Sequence, residues 1–514
     1  MQQKWWTLTA VGVAIFMLLL DITIVNVALP DIQRELGASF SDLQWVVDAY
    51  ALMLASVLLV SGSLADLLGR RLIFLIGLVV FSVASLGCGL ASTPTVLTLS
   101  RAVQGIGGAM MFATSLALVA QAFRGPDRGV AFGVIGAVTG AAVAVGPLVG
   151  GLLTDGLGWE WIFLVNVPIG IGAVALTLAR VDESRDPRPG GIDFPGVATF
   201  AGSLFCLIFA LVRGNQEGWS SALIVGLLVG AVALMVAFIA VELRREEPML
   251  DLALFRKPAF AGASITAFSV SASLFALFLY ISLYLQNILD YSPLQAGLRF
   301  LPVSLLAFVF GPVAGRLSAR VPARLFLGGG LLLVALGLLL MHGLTPDSEW
   351  TALLAGLIVA GVGVGLINPP LASTAIGVVE PARSGMASGI NSTFRQVGIA
   401  TGIAGLGAVF QHRVESIVAK GLAGTPASER AGEIAQAVSS GGGGRVAQAV
   451  PPQARETVAR VTTDAFVGAF NTLLVIGSAT ALVGAVCAAV LVRPRDFVSS
   501  EASASAPDAN PAAA

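Results

Sequence analysis

The chain has 514 residues, 56% hydrophobic and 11% charged, with a formal net charge of -1 and a mean hydropathy of +0.88. Soluble domains carry about 25% charged residues, so a water-facing surface of this size is excluded and a polytopic all-α membrane protein is expected. The near-zero net charge says nothing about nucleic acid, but no basic cluster suited to it is present, so no nucleic-acid partner is expected and the lipid bilayer is the expected surroundings.

In chain order, the first apolar run covers 7–29. It is too long for a signal peptide, carries Asp21 and Asn26, and lacks a small-residue cleavage site, so it reads as a first span. A bilayer core needs about 20 apolar residues of helix. Further spans of that kind are expected near 44–65, 72–91, 95–119, 129–153 and 161–179, which complete a first bundle of six. Two more follow near 194–213 and 221–243. The last six lie near 259–285, 295–317, 323–342, 351–371, 386–411 and 466–492, for fourteen in all.

The division is therefore an N-terminal bundle over 1–179, a linker with two additional helices over 180–258, and a C-terminal bundle over 259–492. The long outer loop 412–463, with "SSGGGGR" between two stretches suited to short helices, interrupts the last bundle. An Ala-, Ser- and Pro-rich tail over 493–514 is expected to be disordered. Loops on the N-terminal side hold eighteen Lys and Arg, whereas the short loops opposite hold only Arg34, Arg213 and Arg299. Basic loops stay in the cytoplasm, so both termini are placed inside and the long basic loop 412–463 is the one exception. Arg outnumbers Lys 26 to 3, as in GC-rich bacterial genomes. "GSLADLLGRRLIFLIG" (62–77) and "GPVAGRLSARVPARLFLGGG" (311–330) follow the second span of each bundle. Repeated halves with a substrate site between them are the build of many secondary transporters.

Ionisable residues inside spans are costly and mark function. They are Asp21, Asp48, Arg101 and Arg395, with Asp464 at an edge. Asp21 lies about 12 Å from the outer end of its span at the helical rise. Asp48 and Arg101 lie about five and six residues in from the same side, in one slab with it. Thr23 and Asn26 share a stripe while Asp21 projects elsewhere on the helix, so the first span is central or lines a cavity. A desolvated carboxylate titrates near neutrality, which makes Asp21 and Asp48 candidate proton sites. The rival readings are a structural, hydrogen-bonded Asp21 and a solvated helix end at Asp48. Arg101, Gln104, Gly105 and Gly108 form one helix face. Arg101 stays charged and either tunes a nearby Asp or makes a structural ion pair.

In the fifth span Gly133, Ala137, Gly140, Ala144, Pro147 and Gly151 recur at steps of four and three. Such a stripe admits another helix closely, and Pro147 permits a bend. Asn391 and Arg395 share a face of the thirteenth span, with Arg395 near midplane. Arg395 reads equally as a structural partner or as a substrate or gating contact. Asp66 and Arg70 flank a short turn, either as a topology signal or as a latch between two states. Cys88, Cys206 and Cys487 lie in apolar runs without ligand spacing, and His342 and His412 fall at loop edges. No metal site, cofactor or disulfide is expected, and no catalytic Cys–His or Ser–His pair supports an enzyme.

Together these stretches resemble the fourteen-span drug:proton antiporters of the major facilitator superfamily. "LDITIVNVALP" is similar to their first-span signature, and "GSLADLLGRR", with Asp66, Gly69, Arg70 and Arg71, to the superfamily's loop motif. "RAVQGIGG" resembles the fourth-span motif. "GVIGAVTGAAVAVGPLVGG" resembles the fifth-span antiporter motif with Gly146 and Pro147 in place, although Ala142 stands where glycine is usual. "NSTFRQVG" resembles the thirteenth-span stretch of this branch, and "QWVVDAY", carrying Asp48 and Tyr50, the second-span segment of antiseptic exporters.

The resemblance implies the major facilitator fold, with two six-helix bundles plus two extra helices. It implies export by alternating access from a cell membrane, driven by the proton gradient with no cofactor, by a monomer. Asp21, Asp48 and Arg101 are then assigned to proton coupling. Asp66, Gly69, Arg70, Arg71, Gly146 and Pro147 are assigned to gating, and Asn26, Tyr50, Gln104, Asn391 and Arg395 to a small-molecule substrate that is lipophilic or cationic. The alternatives are a dedicated exporter of one metabolite, antibiotic or lipid, and a proton symporter or facilitator. No Walker-type phosphate loop is present.

Overall fold

The structure, a computed structural model, describes residues 2–38, 40–123, 126–185, 193–245, 250–318, 320–379, 384–425, 427–439 and 452–493. The expected tail beyond 493 and the glycine run of the outer loop lie outside these residues. Every long element is a helix. The first bundle comprises α1 (Gln3–Leu36), α2 (Phe40–Leu68), α3 (Arg70–Gly89), α4 (Pro94–Ala122), α5 (Pro126–Leu157) and α6 (Trp161–Arg180, with a break near Val165). The extra pair is α7 (Phe194–Glu217) and α8 (Ala222–Glu242). The second bundle comprises α9 (Pro258–Ile288), α10 (Leu301–Leu317), α11 (Ala323–Leu340), α12 (Thr351–Gly377), α13 (Ser384–Gly421) and α14 (Pro452–Leu491).

Among the described residues eleven helices are long and apolar enough to cross a membrane. The other three expected spans fall on α5, α10 and α13, which is consistent with fourteen. In the outer loop both stretches expected to suit short helices are helical, as Ala431–Ser439 and as the start of α14. α13 continues to Gly421 and α14 begins at Pro452, so much of 412–463 is helix rising out of the apolar layer. An apolar-run count ends where hydropathy falls, although the backbone hydrogen bonds continue.

Local chemistry sets the ends. Thr93 caps α4, its Oγ1 accepting from the Val96 N–H at 3.3 Å, with Pro94 at the first helical position. Asp193 caps α7 through the Gly196 N–H at 3.0 Å. Gly37 ends α1 in the left-handed region at φ 62°. Apolar side chains line the outside as well as the core: Val83, Val232 and Val483 are each more than 60% exposed, as expected where lipid is the solvent.

The two bundles meet along two seams related by the internal repeat, α2 against α13 and α5 against α10. The second helix of one half thus faces the fifth helix of the other. α7 and α8 pack on each other, and α7 rests against α2 and α13. Phe200 and Phe238 of this pair join Leu59, Met386 and Ile390 in one apolar cluster. Among the described residues no such cover lies over α5 and α10, whose Leu152, Leu305, Phe308 and Val309 are exposed.

Near the face that holds the start of α1 and the end of α14, here the terminal face, the seams are closed. A Cβ on Gly129 of α5 would lie 1.9 Å from the Gly315 carbonyl oxygen of α10, and one on Gly315 would lie 2.0 Å from that of Gly129. The two backbones touch, and no other residue fits either position. Gly315→Val should therefore hold this side open. In a variant without the native cysteines, Leu116→Cys, which lines the space between the bundles, should become reactive to an impermeant maleimide added at the terminal face. Unchanged reactivity would count against closure by this contact.

Candidate functional site

Asp21, in the middle of α1, is 1% exposed. A buried carboxylate needs a matched charge and full hydrogen bonding, and α4 and α6 supply both. Arg101 of α4 forms a salt bridge with Asp21 Oδ2. Gln104 Nε2, one turn further along α4, donates to Asp21 Oδ1 at 2.9 Å, and Asn166 Nδ2 of α6 donates to the same oxygen at 3.1 Å. Gln104 also accepts from Arg101 at 2.6 Å and donates to Ser85 Oγ of α3 at 2.8 Å. α2 completes the cage: the Val46 carbonyl accepts from Arg101 Nε at 3.1 Å, and the Tyr50 ring lies 4.1 Å from the guanidinium carbon, a cation–π contact. Gly105 makes this approach feasible, since a Cβ there would fall 2.5 Å from the Tyr50 carbonyl oxygen.

The sequence placed Asp21, Asp48 and Arg101 in one slab. The structure joins Asp21 to Arg101 and leaves Asp48 apart. Asp48 is half-buried on α2, and the cation in electrostatic reach of it is Arg213 of α7. Arg213 also pairs with Glu217 at 2.9 Å and lies against Trp45. Thr23 points away from Asp21 toward α5, where a Cβ on Gly146 would meet its Oγ1 at 1.9 Å. The side chains of Asn26 and Pro147 lie outside the described residues.

A second constellation lies at the terminal face. Asp66 and Arg70 form a buried salt bridge, with Arg70 Nε donating to Asp66 Oδ1 at 2.9 Å. Asp66 Oδ2 accepts from the Met386 N–H at 2.8 Å, so a carboxylate of the first bundle caps the start of α13 in the second. Helix N-termini carry partial positive charge, and the contact ties the halves together. Gly69 adopts φ 123°, which suits glycine, and packs under Glu183. The Glu183 carboxylate in turn accepts from the Arg71 and Leu72 N–H groups at 3.0 and 3.1 Å. Arg71 reaches the Leu178 carbonyl at 2.8 Å.

Between the bundles lies a cavity with about 50 Å³ open to water. Phe112, Phe132 and Ile135 line one side, and Asn368, Leu371, Asn391 and Arg395 the other. Drug-sized pockets are about 300–1,000 Å³, so the halves must part to admit such a molecule. Arg395 donates to Asn368 Oδ1. Gln104 and Tyr50, expected at the substrate, belong to the Asp21 cage instead, whereas Asn391 and Arg395 do face the cavity. Ser85, Asn166, Glu183 and Asn368 were not anticipated. Asn368 stands before two prolines inside an apolar span, a signal that could have singled it out. Among the described residues no group of three or more His, Cys, Asp or Glu could hold a metal ion.

Residues 11–403 match the model of the Major Facilitator Superfamily. The multidrug resistance protein Stp of Mycobacterium tuberculosis is 40% identical over 78% of this chain and 75% of its own. The tetracenomycin C resistance and export protein of Streptomyces glaucescens is 30% identical over 95% of this chain and 91% of its own. The human organic anion transporter MFSD10 (TETRAN), in its crystal structure, superposes with a TM-score of 0.58 at 15% identity, covering 93% of this chain and 99% of that one, a likeness of fold.

Removing one partner of a buried ion pair costs about 3–5 kcal/mol, because the other charge is left unmatched. Asp21→Asn should therefore lower the thermal midpoint in detergent by several degrees. Arg101→Gln added to it should recover part of the loss, and Asp48→Asn alone should change little. A double variant less stable than either single one would refute the pairing.

Proposed function

The chain belongs to the major facilitator superfamily, and from that premise we propose that it is a proton-coupled exporter of drugs or toxic organic compounds working by alternating access. The relatives are the support for export, one being named a multidrug resistance protein at 40% identity. The single observation that carries the coupling is the Asp21 carboxylate, sealed from water and held by Arg101. Proton and guanidinium compete for it. While Arg101 is docked, the guanidinium occupies the place a proton would take. A rocking motion that withdraws α4 from α1 leaves a desolvated carboxyl, which binds a proton.

The terminal face is then cytoplasmic, as the basic loops require. In the present state it is shut by Asp66 on the Met386 N–H and by the glycine contact of α5 with α10. Asp66 and Arg70 act as the latch of that closure. Asp48, beside Arg213, serves as a second protonation site nearer the outer surface. One charge moved across 100 mV is worth about 2.3 kcal/mol, and the pH gradient adds to it, so a single proton sustains a useful concentration ratio. The protein works as a monomer and transforms no substrate. A second reading, a dedicated exporter of one antibiotic, is favoured by the likeness to the tetracenomycin C export protein along nearly the whole chain.

Everted vesicles test the coupling. Cargo added to vesicles with an imposed pH gradient should dissipate it, and Asp21→Asn should abolish the response. Asp66→Ala, which loses both the ion pair and the α13 cap, should slow turnover about tenfold or more by loosening the closed state. Normal proton exchange in Asp21→Asn would assign that residue a structural role only.

A further inference from the structure

The cavity between the bundles has one ionisable group among its described lining residues, and it is a cation. Arg395 projects there from the first half of α13, three turns in from its start. Its only described hydrogen bond is to Asn368 Oδ1, a neutral acceptor, and its Nε has no partner. One turn earlier Asn391 is 4% exposed, and its Nδ2, also without a partner, belongs to the same wall. The carboxylate of Asp21 is engaged by Arg101, Gln104 and Asn166, and that of Asp66 by Arg70 and Met386. Neither lines the cavity. The facing wall is largely apolar and aromatic, with Phe112, Phe132 and Ile135.

A charge inside a membrane protein is rare, costly and normally matched. Here the protein supplies the positive member and two donors and leaves the negative member out. We propose that the cargo supplies it: the transported compound is a lipophilic organic anion. Its carboxylate, phenolate or enolate rests on Arg395 and Asn391, and its flat apolar body lies against Phe112 and Phe132. This rests on the export reading and narrows its substrate class, selecting the lipophilic over the cationic cargo. A cationic compound meets Arg395 with no counter-charge. At about 5 Å and an effective dielectric of 20, that repulsion weakens binding on the order of a hundredfold.

Export of an anion in exchange for one entering proton moves two charges in the sense the inside-negative potential favours. Each 100 mV then biases the distribution by about fiftyfold per charge. Exchange of a monovalent cation for one proton is electroneutral and gains nothing from the potential.

The test uses the purified full chain with fluorescein as the anionic probe and ethidium as the cationic one. Polarisation titrations should show fluorescein bound at least tenfold more tightly than ethidium. Arg395→Gln should weaken fluorescein at least tenfold, and Arg395→Lys should keep most of the binding. Asn368→Asp is nearly isosteric, retains the acceptor for Arg395 and adds the missing counter-charge. It should weaken fluorescein by a similar factor and strengthen ethidium, and it decides the matter alone where Arg395→Gln does not fold.

Tighter binding of ethidium by the unaltered protein would overturn the proposal. So would fluorescein binding indifferent to Asn368→Asp. Uptake into energised everted vesicles separates the two levels: ethidium without fluorescein sinks the anion assignment and leaves export standing, whereas uptake of neither sinks both the anion assignment and the export of drugs as a broad class.

Discussion

The first bundle is organised around one buried charge pair. Asp21 and Arg101 bring with them Gln104 on α4, Ser85 on α3, Asn166 on α6, and Val46 and Tyr50 on α2. Five of the six helices of that half thus converge on a few ångströms of polar space in an otherwise apolar interior. The reason is energetic. Neither charge survives in such surroundings unless it is matched and hydrogen-bonded, so satisfying the pair dictates where its neighbours stand. α5 is the helix the network does not hold. It packs on α1 through Gly146 and Thr23 and presents its other side to α10.

Among the described residues the second bundle has no counterpart to that cage. Its core is a long apolar cluster running from Ala263 to Val492, with stacked and edge-on aromatic contacts among Tyr280, Tyr284, Phe410, Phe466 and Phe470. Its notable polar side chains, Asn368, Asn391 and Arg395, are turned toward the partner bundle instead of inward. The repeated halves therefore differ: the first buries its charged pair within its own bundle, and the second turns Arg395 toward the cavity between the bundles.

Much of this was legible in the sequence, for identifiable reasons. Lipid demands long apolar helices, so hydropathy alone located the spans. A charge in such a run is conspicuous, so Asp21, Arg101 and Arg395 declared themselves. The partners did not. Ser85 and Asn166 are single neutral residues of a kind many spans tolerate, and only packing reveals that they finish the Asp21 shell. Glu183 was hidden differently. It sits in a polar linker, and nothing local says that the linker folds back to cap α3. Asp48 shared an outer slab with Asp21, yet depth does not fix azimuth, and α2 turns it toward α7.

The extra helices leave the molecule lopsided about its internal two-fold. The α2–α13 seam has α7 and α8 on its lipid side, while the α5–α10 seam lies bare. Parting the bare seam merely trades lipid neighbours, whereas parting the covered one drags two whole rods sideways through a viscous film. A separation of the halves would therefore meet more drag on the sheltered flank than on the bare one.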